Sequence, residues 1–178
     1  MLYLVTGHVD GNIGSDDPEC GSISTPCKSL SQGLFDANKR IIITGEIVIH
    51  KTFEIQKQET AIIGKGAIIK WMELDESNQS KNNQRFAFKV PENEFVEIRN
   101  IIFVDTGILL VERNPTVEVS NCTVSGNVEY VFKLDVAMGI TMNIIDCKFM
   151  DFPGYVIFYN VAYQYETVAP NSTFKLLR

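Results

Sequence analysis

Few residues of this chain could do chemistry: four cysteines, two histidines and a scatter of carboxylates, amides and tyrosines along 178 residues. Cys20 and Cys27 flank a turn-rich loop. A disulfide pinning that loop is the favoured reading and would imply an oxidising compartment; two free thiols are the alternative, because spacing alone does not establish a bridge. Cys122 and Cys147 fall at one place in a repeat and read as small apolar fillers, stacked as free thiols. No Cys-x-x-Cys pair occurs, and neither His8 nor His50 clusters with the cysteines, so no zinc site is expected. Asp10, Asn12, Asp16 and Asp17 carry oxygens that calcium could use, but their spacing matches no calcium loop and a solvated turn accounts for them. Asp105 and Asp151 occupy equivalent places after two copies of the repeat, with Gly126 between them. They would stand about 10 Å apart, two strand spacings, at the edge of the range for an inverting glycosidase. Nothing else converges on them, and a turn role is expected. Tyr155, Phe158, Tyr159, Tyr163 and Tyr165 make an aromatic-rich stretch. Alternation sends some outward, where Tyr155, Tyr159 and Tyr163 could stack on sugar rings; strand propensity and core packing are the plainer account. Asn78-Gln79-Ser80, Asn121-Cys122-Thr123 and Asn171-Ser172-Thr173 match the glycosylation acceptor pattern. Asn78 is the candidate, since the other two also read as corners of the repeat. No catalytic residue, cofactor or metal is expected.

What must position these residues is a short phrase written four times. It reads Asn100-Ile101-Ile102-Phe103, Asn121-Cys122-Thr123-Val124, Asp146-Cys147-Lys148-Phe149 and Asn171-Ser172-Thr173-Phe174, at steps of 21, 25 and 25 residues. Asn and Asp tolerate the left-handed backbone of a sharp corner, and the alternation after them reads as a half-buried strand. A corner plus strand at such a step is the mark of a solenoid. Stacked in register, Ile101, Cys122, Cys147 and Ser172 form one inward column, and Phe103, Val124, Phe149 and Phe174 the next. A one-residue slip would bury Lys148, which is costly. Each interval holds two further strands, so the expected fold is all-β, a right-handed parallel β-helix with three strands per rung and roughly six rungs.

The rest of the chain fits this plan. Leu2 to Thr6 reads as a strand, Gly7 to Thr25 as a loop, and Cys27, Leu30, Leu34 and Ala37 as one face of a helix that covers the first rung. Residues 1–40 thus form an N-terminal cap and residues 41–178 the solenoid, which is expected to continue beyond Arg178. Ile47, Ile49, Phe53 and Ile55 are inward candidates, Ala61 to Ile69 is strand, Gly-rich corner, strand, and Glu73 to Gln84 is a polar projecting loop. A formal charge of -6 and a pI near 4.9 argue against nucleic acid and against anionic membrane surfaces. No apolar run is long enough to span a bilayer, and Met1 to Val5 lacks the features of a signal peptide.

Leu2-Tyr3-Leu4-Val5-Thr6, Gly14-Ser15-Asp16, Cys20-Gly21, Pro26-Cys27-Lys28-Ser29-Leu30 and Gly33-Leu34 together resemble the opening of pectin-lyase-like β-helix proteins. The paired-cysteine form resembles that of protist surface proteins and of polymorphic outer membrane proteins. Gly64-Lys65-Gly66-Ala67-Ile68 is similar to the Gly-Gly-Ala-Ile repeat of the latter, and Val96 to Phe103 to a rung phrase of the superfamily. The resemblance implies a β-helix and leaves the function open, since this fold hosts lyases, hydrolases, adhesins and tail spikes. The Asn-Thr-Asp, Asp-Asp, Gly-His-Gly and Arg-Ile-Lys set of polygalacturonases is not present.

The leading expectation is a non-catalytic module of a larger extracellular, cell-surface, adhesive or matrix-like protein, meeting carbohydrate or protein there. One alternative is a carbohydrate-active enzyme, a lyase or hydrolase, whose site is completed beyond residue 178. Another is a structural subunit that self-associates end to end through an open β-helix edge.

Overall fold

Alternating β-branched and aromatic residues make strands of nearly every segment that can be described. The structure is a computed structural model, and it describes residues 6–35, 40–55, 59–73, 85–92, 94–111, 115–135, 140–160 and 173–177. The strands are β1 (Thr6–Asp10), β2 (Arg40–Ile49), β3 (Phe53–Glu54), β4 (Thr60–Trp71), β5 (Phe86–Val90), β6 (Phe95–Val104) and β7 (Gly107–Val111). They continue as β8 (Thr116–Ser120), β9 (Thr123–Ser125), β10 (Tyr130–Asp135), β11 (Thr141–Ile145), β12 (Lys148–Met150), β13 (Tyr155–Asn160) and β14 (Thr173–Leu177). One short helix, α1 (Leu30–Phe35), interrupts the described strands.

The strand pairings among the described residues are parallel, and they fall in three rows. The first runs β1-β2-β4-β6-β8-β11-β14. The second joins the C-terminal halves of β2, β4 and β6 to β9 and β12. The third runs β3-β5-β7-β10-β13. Consecutive strands in a row lie well apart in sequence, as parallel pairing requires.

Register turns the alternation into columns. Ile41, Ile62, Ile98, Val119 and Ile144 align along the first row, and all are buried. Ile47, Ile69, Phe103, Val124 and Phe149 align along the second. Phe88, Leu109 and Phe132 align along the third. Phe88 meets Phe103 edge-on at 6.4 Å, and Phe132 meets Phe149 at 6.5 Å, so the second and third rows face one another across a shared core. Lys148 is exposed, as the register argument requires.

The corners carry the expected backbone. Asn100, Asn121 and Asp146 have φ of 59°, 51° and 52°. A second set of left-handed corners follows each phrase: Asp105 at 57°, Gly126 at 91° and Asp151 at 51°. Asp105 and Asp151 are therefore turn residues.

Three expectations need correction. The first strand is Thr6–Asp10, so it runs into the stretch read as loop; Gly7 and Val9 supply the buried face, and residues 1–5 lie outside the described set. Cys27 is not helical. It forms a parallel bridge with Val9, its N–H donating to the His8 carbonyl at 2.9 Å and its carbonyl accepting from Asp10 at 2.8 Å. The fourth phrase leaves the column: Phe174 pairs with Met142 of β11, where Phe149 was expected. A period-two pattern such as Thr173-Phe174-Lys175-Leu176 fits any row whose inward face alternates likewise, and β11 offers Met142 and Ile144. The polar stretch from Glu73 to Gln84 lies outside the described residues except for Glu73 itself.

Helix α1 packs on β1 and β2, with Leu30 buried. It meets β1 through Gly33, where an added Cβ would lie 2.2 Å from Val9 Cγ2.

Replacing Asn121 separates corner geometry from side-chain contact. Asn121→Ala should cost about 1 kcal/mol, the penalty of holding an ordinary Cβ in left-handed backbone, whereas Asn121→Gly should be near neutral. Urea unfolding of the three proteins would show it; equal losses for Ala and Gly would locate the role of Asn121 in its amide instead.

Candidate functional site

The second set of corners delivers the chain into the third row, and the residues just past it line a surface groove. Asp105 Oδ1 accepts the Asn127 N–H at 2.8 Å, which fixes the start of this segment. Gly126 makes room for that carboxylate, since a Cβ there would lie 2.3 Å from Asp105 Oδ1. Gly154 lets the next strand approach: its Cβ would fall 1.9 Å from the Glu129 carbonyl, and that carbonyl accepts the Tyr155 N–H at 2.8 Å. The result is a groove of about 300 Å³ lined by Arg85, Asn127, Glu129, Pro153, Gly154 and Tyr155.

Its chemistry is aromatic and polar together. Tyr155 is 66% exposed, and its ring stacks on Tyr130 with centroids 6.2 Å apart and planes 17° from parallel. The Tyr130 hydroxyl donates to the Glu129 carboxylate, which holds its proton and pushes the phenol's pKa up. Arg85 ion-pairs with Glu73, while its carbonyl accepts from Thr106 Oγ1 at 3.2 Å and from the Gly107 N–H at 2.7 Å. One face thus offers a flat aromatic pair, a carboxylate, an amide and a guanidinium. That suits a polyhydroxylated ligand, whose C–H faces stack and whose hydroxyls both donate and accept. Among the described residues that line the groove, Glu129 is the one carboxylate, and nearby Asp105 is engaged with the Asn127 N–H.

The other candidates separate cleanly. Cys20 and Cys27 are joined in a disulfide with Cα atoms 4.9 Å apart. Cys122 and Cys147 are free, the first buried and the second half-buried. Asp10 Oδ1 accepts the Asn12 and Ile13 N–H groups, and its other oxygen accepts from Thr44 Oγ1 at 2.7 Å. Asp16 accepts from the Lys28 and Ser29 N–H groups ahead of α1. Asp17 accepts from Ser15. These carboxylates tie the cap loop together, and among the described residues no three of His, Cys, Asp and Glu gather as metal ligands would. Tyr155 is exposed as expected. Tyr159 stands on β13, and nothing is described of its side chain. Asn78 and Tyr163 lie outside the described residues.

Sequence reading singled out Tyr155 and missed Arg85, Asn127, Glu129 and Tyr130. A signal was available: Tyr130 and Tyr155 are one 25-residue repeat step apart, so register alone stacks them.

Comparison with known proteins returns no match, whether to a family model, a curated protein or a solved structure.

The cap should loosen in acid. His8 has its pKa lowered by partial burial and then by Lys65; Asp10 has its lowered chiefly by the Thr44 hydroxyl. Both bind protons more readily unfolded than folded, so their contribution is full above the unfolded values and is lost as pH falls through the folded ones. The first loss begins below the ordinary histidine value of 6.5. His8→Gln should flatten that upper part of the decline and Asp10→Asn the lower part, read as thermal midpoint against pH. A variant profile parallel to wild type would remove that group from the account.

Proposed function

We propose that this chain is a non-catalytic, right-handed parallel β-helix module, with three strands per rung, of a larger extracellular surface, adhesive or matrix-like protein. The three parallel rows, the 21- and 25-residue steps and the shared core support the coil, and the strong handedness rule for parallel crossovers supports its hand. The disulfide-tied cap supports an oxidising compartment. The observation that carries the functional reading is the exposed Tyr155 ring, stacked on Tyr130 beside Glu129, Asn127 and Arg85, read as a contact site for a neutral carbohydrate. The enzyme alternative draws no support from Asp105 and Asp151, which stand at left-handed corners.

Affinity electrophoresis through gels cast with neutral polysaccharides is the direct test. Retardation should occur without any shortening of the polymer, and Tyr155→Ala should weaken it roughly fivefold, the worth of one aromatic stacking contact of about 1 kcal/mol. Free migration in every polysaccharide, or equal retardation of the folded variant, would remove the groove from the proposal.

A second reading rests on a different observation. Cys147, Phe149, Phe152 and Val156 are only partly buried, whereas Cys122, Val124 and Val131 one step earlier are sealed. Partly covered apolar side chains of this kind suit a subunit that self-associates through them, end to end. Light scattering should then show mass rising with concentration; a constant monomer mass up to about 1 mM, well above typical transient affinities, would exclude it.

A further inference from the structure

Cys122 and Cys147 are a pair of free thiols. Thr123 pairs with Lys148 and Val124 with Phe149, so Cys122 and Cys147 stand at matching places on adjacent chain segments. The Cys122 carbonyl accepts the Lys148 N–H at 2.8 Å, which locks that register at the cysteines themselves. Both side chains lie on the core side. Cys122 Sγ sits 3.4 Å from the Ser120 carbonyl, and Cys147 Sγ sits 3.4 Å from the Ile145 carbonyl and 3.6 Å from that of Val119. Parallel strands run about 4.8 Å apart, inside the Cα separation that disulfides span. The bridge already present in this chain, Cys20–Cys27, has a Cα separation of 4.9 Å.

The two sulfurs differ in access. Cys122 is sealed at 1% exposure, while Cys147 is half-buried. We propose that Cys122 and Cys147 form a dithiol site for thiol–disulfide exchange with a small disulfide, Cys147 attacking first and Cys122 resolving. The Cys147 thiolate bonds to one sulfur of the small disulfide, whose other half leaves as a thiolate and takes a proton from water. Cys122 then loses its proton to solvent and attacks Cys147 Sγ, expelling the second half as a thiol. Two protein thiols are oxidised, and one small disulfide is reduced to two thiols. The difference in access sets this order, and the electrostatics agree with it: the neighbouring Cys122 holds the Cys147 pKa down to about 7, while that of Cys122 is raised by Cys147 and by burial, with Asp146 opposing the Cys147 thiolate from the side. The product is a bond between the residues that precede β9 and β12, 25 residues apart in sequence.

Oxidised glutathione is the probe, applied to the folded chain with Cys20–Cys27 intact. Peptide mapping after alkylation should recover Cys122 joined to Cys147, with two hydrogens lost from the intact mass and the thermal midpoint raised. Cys122→Ala should stop at a glutathione adduct on Cys147, and Cys147→Ala should leave Cys122 labelled at least tenfold more slowly. Two alkylatable thiols after treatment of folded wild type would overturn the proposal, as would a crosslink that appears only in denaturant. Equal labelling rates in the two variants would overturn the assigned order, and the wild-type crosslink stands as the test should either variant fail to fold.

Discussion

Left-handed backbone at a few corners is the constraint on which the other features rest. Asn100, Asn121 and Asp146 turn the chain from the first row into the second, and Asp105, Gly126 and Asp151 turn it toward the third. An ordinary residue there would cost about 1–2 kcal/mol, which is why amides, carboxylates and glycine occupy these places. Once the corners repeat, register repeats. Register then stacks Phe103 on Val124, Tyr130 beside Tyr155, and Cys122 under Cys147. Groove, core and thiol pair are three readings of one periodic geometry.

Burial, not charge, holds the columns together. Phe86, Phe88, Phe103 and Phe132 are fully buried, each worth about 1.5–3 kcal/mol against exposure. The ion pairs Arg99–Glu97 and Lys89–Glu54 lie at the surface at 3.0 and 3.7 Å, where such pairs contribute up to about 1 kcal/mol. The net negative surface therefore tunes solubility more than shape.

Much of this was legible in the amino-acid order. The corners, the inward faces of Ile47, Ile49 and Ile55, and the outward Lys148 all follow from turn chemistry and period-two alternation. Two limits of that reasoning also show. Alternation identifies an inward face but not which row it joins, so Phe174 was assigned beside Phe149 and lies beside Met142. Short strands with a single large apolar residue, such as Thr6–Asp10 around Val9, leave too weak a signal against a Gly- and Asp-rich background. The groove escaped notice for another reason: its residues come from three separate segments that lead into the third row, and only the 25-residue step links Tyr130 to Tyr155. Asp105 and Asp151 were read as turn residues because nothing else converged on them, and their backbone angles place them at left-handed corners.

The pairing along the first row tolerates unequal amounts of chain between its strands. Thr6 pairs with Arg40, Arg40 with Ala61, Ala61 with Glu97, Thr116 with Thr141 and Thr141 with Thr173, so the interval ranges from 21 to 36 residues while the strands stay parallel. Closing a longer excursion costs only about 0.6 kcal/mol for each doubling of its length. A scaffold built this way is stiff in space and elastic in sequence. New surface can be grafted between two corners without renegotiating the core, so the same parallel rows can change what they touch far faster than they change what they are.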